Sequence, residues 1–190
     1  MKSICLCLFT FLFLLVFSSA VASAQSRDHL TPKEVELVQD TQFLDQRIEV
    51  FIRAIERRLM VMNGTEASNA KQLKKEAEIW GDLPKGSRAQ LLSDIDHILE
   101  EAITNIDDVS TKDEKSPLLA KSVRKLAAEA MQLKTQLLPL RDQTKSEDEL
   151  ASLEHVLENG QSIIDATSKL TPMLPTTKEK KKSEKPKTDN

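Results

Sequence analysis

The sequence predicts an all-α protein: an antiparallel bundle of about four long helices plus one short helix, followed by a disordered, lysine-rich tail. Three observations predict it. Apolar residues recur at spacings of three and four through most of residues 25–170. The same region is rich in Leu, Ala, Glu, Lys and Gln, all good helix formers. It has no tyrosine, few glycines (Gly64, Gly81, Gly86 and Gly160), and no run of the strict alternation that marks a half-buried strand.

The elements follow in order. Thr31-Pro32-Lys33-Glu34 reads as a helix start: a capping threonine, a first-position proline and a glutamate three residues after the cap. Leu30 and Val35 flank it as a hydrophobic staple. Leu37, Leu44, Ile48, Phe51, Ile55, Leu59 and Met62 continue the apolar repeat, so one helix is expected to run to Met62 and stop at Asn63-Gly64. At about 30 residues it would be about 45 Å long. Residues 65–72 read as loop, and a short helix over Ala70–Ile79 presents Leu73, Ala77 and Trp80 on one side and caps an end of the bundle. Gly81-Asp82-Leu83-Pro84-Lys85-Gly86 breaks the chain.

A further helix starts near Ser87 with the broad face Leu91, Leu92, Ile95, Ile98, Leu99, Ala102, Ile103 and Ile106, and is expected to end near Val109. Ser116-Pro117 opens another, with Leu119, Val123, Leu126, Ala130, Leu133, Leu137 and Leu140 on its apolar side and a kink or stop at Pro139. Ser146-Glu147-Asp148-Glu149 is a capping-box start for the last helix, whose stripe is Leu150, Leu153, Val156, Leu157, Ile163, Ile164 and Leu170. Gly160 weakens that helix and allows close packing.

The ends of the chain differ in kind from its middle. Met1-Lys2, the apolar run Ile4–Phe17 and the small residues Ser18–Ala24 form a secretory signal peptide, 1–24, with Ala22-Ser23-Ala24 as the cleavage pattern and Gln25 as the first mature residue. The competing expectation is an uncleaved anchor, since roughly 20 residues suffice to span a bilayer. After cleavage no membrane span is expected. Cys5 and Cys7 are the only cysteines and leave with the signal, so the mature chain is expected to have no disulfide, thiolate-metal or cysteine-nucleophile chemistry. Residues 25–170 form the helical domain, long enough to bury an ordinary core. Residues 171–190 form a disordered tail. The domain holds 20 Lys and Arg against 27 Asp and Glu, whereas the tail holds six lysines against Glu179, Glu184 and Asp189. An acidic bundle thus carries a basic tail.

Few residues suggest chemistry. Asp94, His97 and Glu101 fall at i, i+3 and i+7 of one helix, the spacing by which bundles present metal ligands, with His155 as a more distant fourth. Against that, the apolar face defined by Ile95, Ile98, Leu99 and Ala102 puts the three on its margin, as on a solvated acidic face. No second carboxylate-x-x-histidine unit occurs. Haem would need an inward His or Met, and Met60, Met62 and Met131 read as core filler. Arg53, Arg57 and Arg58 form a cationic patch that either meets an anionic partner or pairs with neighbours such as Glu49 and Glu56. The lysine tail is suited to non-specific contact with anionic surfaces. It lacks the aromatic residues of base stacking, so sequence-specific nucleic-acid binding is not expected. Asn63-Gly64-Thr65 matches a glycosylation acceptor, relevant only in a host that glycosylates.

The stretch Leu30-Thr31-Pro32-Lys33-Glu34-Val35-Glu36-Leu37, with Asp40-Thr41-Gln42 and Leu44-Asp45-Gln46-Arg47, resembles uncharacterised secreted α-helical proteins of bacteria, as does Trp80-Gly81-Asp82-Leu83-Pro84-Lys85-Gly86-Ser87-Arg88. The resemblance implies no activity. Leu30-Thr31 also resembles the start of the L-T-x-x-Q motif of small periplasmic helical chaperones, but Glu34 stands where that motif's glutamine is expected. The chain is therefore expected to be a secreted or periplasmic, non-enzymatic helical protein without a cofactor, binding an envelope component or protein or giving structural support. The alternatives are a metal- or haem-binding bundle and a periplasmic chaperone-like stress protein.

Overall fold

A computed structural model describes residues 28–170. The signal segment with Ala24 and Gln25, and the lysine tail from Thr171, lie outside the described residues. Among those described, six α-helices and no strand occur: α1 Pro32–Asp40, α2 Leu44–Met62, α3 Ala70–Trp80, α4 Arg88–Lys112, α5 Pro117–Leu137 and α6 Glu147–Ala166. Single 3₁₀ turns at Leu138–Leu140 and Thr167–Lys169 follow the last two. None of the described helices is long and apolar enough to cross a membrane.

Local chemistry explains each start. Thr31 Oγ1 accepts from the Glu34 N–H while the Glu34 carboxylate accepts from the Thr31 N–H, closing a capping box ahead of Pro32. Ser87 and Gln90 repeat the arrangement at α4. At α6 only half of it forms. Ser146 Oγ accepts from the Glu149 N–H, but the Glu149 carboxylate turns to Thr144 Oγ1 and Arg88.

The long first helix expected over Thr31–Met62 is two helices. The backbone is extended at Thr41 and Phe43, and Thr41 Oγ1 donates to the Leu37 carbonyl. The carbonyl exposed by the break is not orphaned: Arg47 donates to Thr41 O through Nε (3.2 Å) and Nη2 (2.7 Å) and reaches Asn105 Oδ1 through Nη1. Apolar spacing continues across the turn, so periodicity alone could not show it. The turn decides which charges meet. In a continuous helix Glu34 and Arg57 would stand about 35 Å apart; here they touch.

α4 extends beyond the expected end at Val109 to Lys112, with Thr104 and Thr111 hydroxyls donating to carbonyls one turn back and Lys112 suiting the negative helix end. α5 gives way to 3₁₀ geometry around Pro139, as a proline that lacks an N–H requires. In α3, Leu73, Glu76 and Trp80 are half-buried whereas Ala77 is exposed, so its inward side is rotated from the one expected.

The core is shared by Ile48, Phe51 and Ile55 of α2, Leu92, Ile95 and Leu99 of α4, Leu126, Ala130 and Leu133 of α5, and Leu153, Val156 and Ile163 of α6, with Leu30 joining from before α1. Met131, read as core filler, is 51% exposed. Helix direction follows from paired residues. Arg47–Asn105 and Arg58–Asp94 run α2 and α4 antiparallel. Gly160 beside Ala130 and Arg141 beside Glu154 do the same for α5 and α6. Arg88–Glu149 with Asp96–Asn159 pairs α4 and α6 in one direction, and Asp45–Lys121 with Glu49–Lys125 does so for α2 and α5. Neighbours of both senses therefore pack together, and the arrangement departs from a purely antiparallel one.

Candidate functional site

Burial of charge is the feature that sets this interior apart. Glu34, Arg57 and Arg58 are each at most 1% exposed, and Asp94 is 5% exposed. The Glu34 carboxylate accepts from Arg57 Nε (3.1 Å), from Arg58 Nη1 (3.0 Å) and Nη2 (2.8 Å), and from the Thr31 N–H (2.9 Å). Arg57 turns its remaining fork to the backbone carbonyls of Trp80, Gly81 and Asp82, stoppering the C-terminal end of α3, while its guanidinium lies 5.7 Å from the Trp80 ring. Burial pushes the Arg57 pKa below its ordinary value, and Glu34 opposes the shift. Arg58 also donates to the carbonyls of Ala54 and His29, and its Nε lies 3.7 Å from Asp94 Oδ2.

One carboxylate and two guanidiniums thus tie together the segment before α1, α1 itself, the C-terminal half of α2, the end of α3 and the first turns of α4. In a low-dielectric interior such a set is stable only when nearly every donor and acceptor is matched. Gly81 completes the corner: its φ of +61° with ψ of −159° is open to glycine alone, and it lets the chain turn so that the three carbonyls converge on Arg57.

The residues nominated from the sequence fall around this network rather than forming separate sites. Arg57 and Arg58 are inside, so they do not make an exposed cationic patch. Arg53 divides itself between Glu56 and Glu76. Asp94 faces Arg58. Glu101 meets His29 Nε2 at 2.9 Å, and the His29 ring stacks on that of His97, whose Nδ1 is 2.7 Å from the Ser93 carbonyl oxygen. Asp94 and Glu101 thus have separate partners, and among the described residues no group of three or more His, Asp or Glu side chains is arranged to hold a metal ion. His155 is 3.9 Å from Asp96, a carboxylate that accepts from Asn159 and whose pKa is raised by burial despite that bond.

Two further buried carboxylates were not indicated by the sequence. Glu34 is read from the sequence only as a capping glutamate, and the turn at Thr41 carries it inward. Glu129 sits among Leu126, Ala127, Ala130 and Leu133 of α5, is 8% exposed and has no hydrogen-bond or ion-pair partner among the described residues. Its one signal was a glutamate inside an apolar stripe. Comparison of the chain with known protein families, with curated proteins and with solved structures finds no match.

Proposed function

We propose that this is an exported, non-enzymatic helical protein in which α2, α4, α5 and α6 form a four-helix bundle that binds or supports a component of the cell envelope. α1 and α3 close one end of that bundle. On this reading residues 1–24 are removed as a signal peptide, the mature protein is secreted or periplasmic, and the lysine tail adds non-specific attraction to anionic surfaces. The resemblance to secreted helical bacterial proteins belongs to the same reading.

The observation that carries it is the engagement of the charged residues. Side chains of the types that serve chemistry are engaged by one another, most of them across elements: Arg57 and Arg58 with Glu34, Arg53 with Glu76 as well as with Glu56 one turn on, Glu101 with His29. Mutual satisfaction of this kind supports a scaffold role.

The test is fractionation of the native host with N-terminal sequencing of the isolated protein, followed by elemental analysis and melting with and without chelator. The expected product begins at Gln25, lies outside the cytoplasm, and melts identically in both conditions. A protein that keeps Met1 in the cytoplasm overturns the export reading; a stoichiometric metal whose removal lowers the melting temperature overturns the scaffold reading.

A further inference from the structure

α2 and α5 run side by side and leave between them an open cleft of about 290 Å³ at the end nearest the α2–α3 loop. Its walls are unusual for a surface groove. Glu129 lines it while remaining 8% exposed, and neither of its carboxylate oxygens has a partner among the described residues. Glu56 lines it from α2, with Oε2 held by Arg53 and no described residue on Oε1. The side-chain amides of Asn63, Gln132 and Gln136 also face the cleft, with no side-chain hydrogen bond to any described residue. Leu59 and Met60, both at most 9% exposed, contribute apolar surface between them.

Neither Glu129 oxygen is sealed from solvent: both open onto the cleft, where they are engaged by no donor of the chain and are available to an entering cation. Among the described residues Arg53 is the one cationic group in the cleft walls, and it is already shared by Glu56 and Glu76, so the carboxylates there are in surplus. An anion would meet Glu129 and Glu56. An organic cation with an apolar stem would place its N–H donors on Glu129, Glu56 Oε1 and the amide oxygens, and its methylenes on Leu59 and Met60.

We infer that the α2–α5 cleft is a binding site for a small aliphatic amine of the diamine or polyamine class, anchored by an ammonium group on Glu129. The site uses none of the residues of the Glu34 network, and it stands whether or not the protein is exported.

The test is calorimetric titration of the full mature chain with putrescine and spermidine, run beside MgCl₂ and sodium acetate at matched ionic strength. Saturable one-to-one binding of an amine is expected, and Glu129→Gln, which keeps the shape of the side chain and removes its charge, is expected to weaken it at least tenfold. Glu149→Gln, a carboxylate remote from the cleft, should leave the affinity unchanged. Far-UV circular dichroism and a cooperative melt establish that each variant is folded. No saturable amine binding overturns the inference. Equal loss with both variants, or Mg²⁺ binding that displaces the amine at equal concentration, reduces the effect to general acidity and overturns it too.

Discussion

Replacing Glu34 with alanine tests the central physical claim, that one carboxylate holds the N-terminal segment to the rest of the chain. The substitution removes the acceptor of three guanidinium N–H groups and of the Thr31 N–H, and leaves Arg57 and Arg58, each 1% exposed, without their shared counter-charge. Removing one partner of a buried ion pair costs ~3–5 kcal/mol. The carbonyls around Arg57 and the Asp94 carboxylate near Arg58 offset part of that, which points to the lower half of the range. For a chain of this size ~1 kcal/mol moves the melting temperature by about 2–4 °C, so a fall of about 6–16 °C is expected.

Urea unfolding followed at 222 nm gives the free energy, and native-state hydrogen exchange gives its location. α1 packs chiefly on α2 and α3, so it can undock and return both arginines to water; α1 amides should therefore lose protection first. A double-mutant cycle of Glu34→Ala with Arg58→Ala isolates the pair, with coupling of about 2 kcal/mol expected. A loss below about 1 kcal/mol, strictly additive with Arg58→Ala and with α1 protection intact, would refute the claim that this carboxylate organises the segment.

Two glycines should respond in opposite directions to alanine. At Gly81 the φ of +61° and a new Cβ only 3.0 Å from Lys33 Cγ predict a loss of about 1–3 kcal/mol in urea unfolding. At Gly160, inside α6, the new Cβ would sit 3.9 Å from Ala130, ordinary contact, so better helix propensity should add about 0.5–1 kcal/mol. Glu129→Gln should alter how stability varies with pH. Burial, and the nearby Glu56 charge after it, raise the Glu129 pKa above its ordinary 4.5. As pH climbs past that value the unfolded chain releases this proton before the folded one does, so the wild type loses stability until the folded group also ionises. The stability difference between Glu129→Gln and wild type should therefore grow in favour of the variant as pH rises above 4.5; chemical denaturation at a series of pH values checks it, and a flat difference refutes it.

Much of the helical framework was legible because a buried helix face repeats every three or four residues whatever packs on it. Leu91 to Ala102 and Leu119 to Leu137 could be read directly. What the period conceals is a turn that leaves it in phase. The residues on either side of Thr41 keep their apolar spacing, and the chain folds back there through one threonine hydroxyl and the reach of Arg47. With that turn unseen, Glu34 has no link to α2, and Arg57 and Arg58 read as a patch. A second signal was present at the other end of α2. Arg57, Arg58, Leu59 and Met60 are consecutive and all buried, a whole helical turn with no member on the open surface. The apolar turn Leu59–Met62 points to this, but nothing in its spacing says that α1, α3, α4 and α5 are what surround it.

The buried charges divide by whether the chain itself answers them. Glu34 and both arginines answer one another, Asp94 lies against Arg58, and Asp96 has Asn159 and His155. These are charges that position helices, since each can be satisfied only when two or more elements are in register. Glu129 is enclosed to the same degree as Asp96, yet no described residue answers it, and the helix that carries it would lose nothing from glutamine there. On the amine-site inference, Glu129 costs the empty protein stability at neutral pH and is kept for what it binds rather than for what it holds in place. The sign of a single substitution separates the two kinds: Glu34→Gln should destabilise the protein with or without amine, whereas Glu129→Gln should stabilise it alone and diminish the further gain that spermidine gives the wild type.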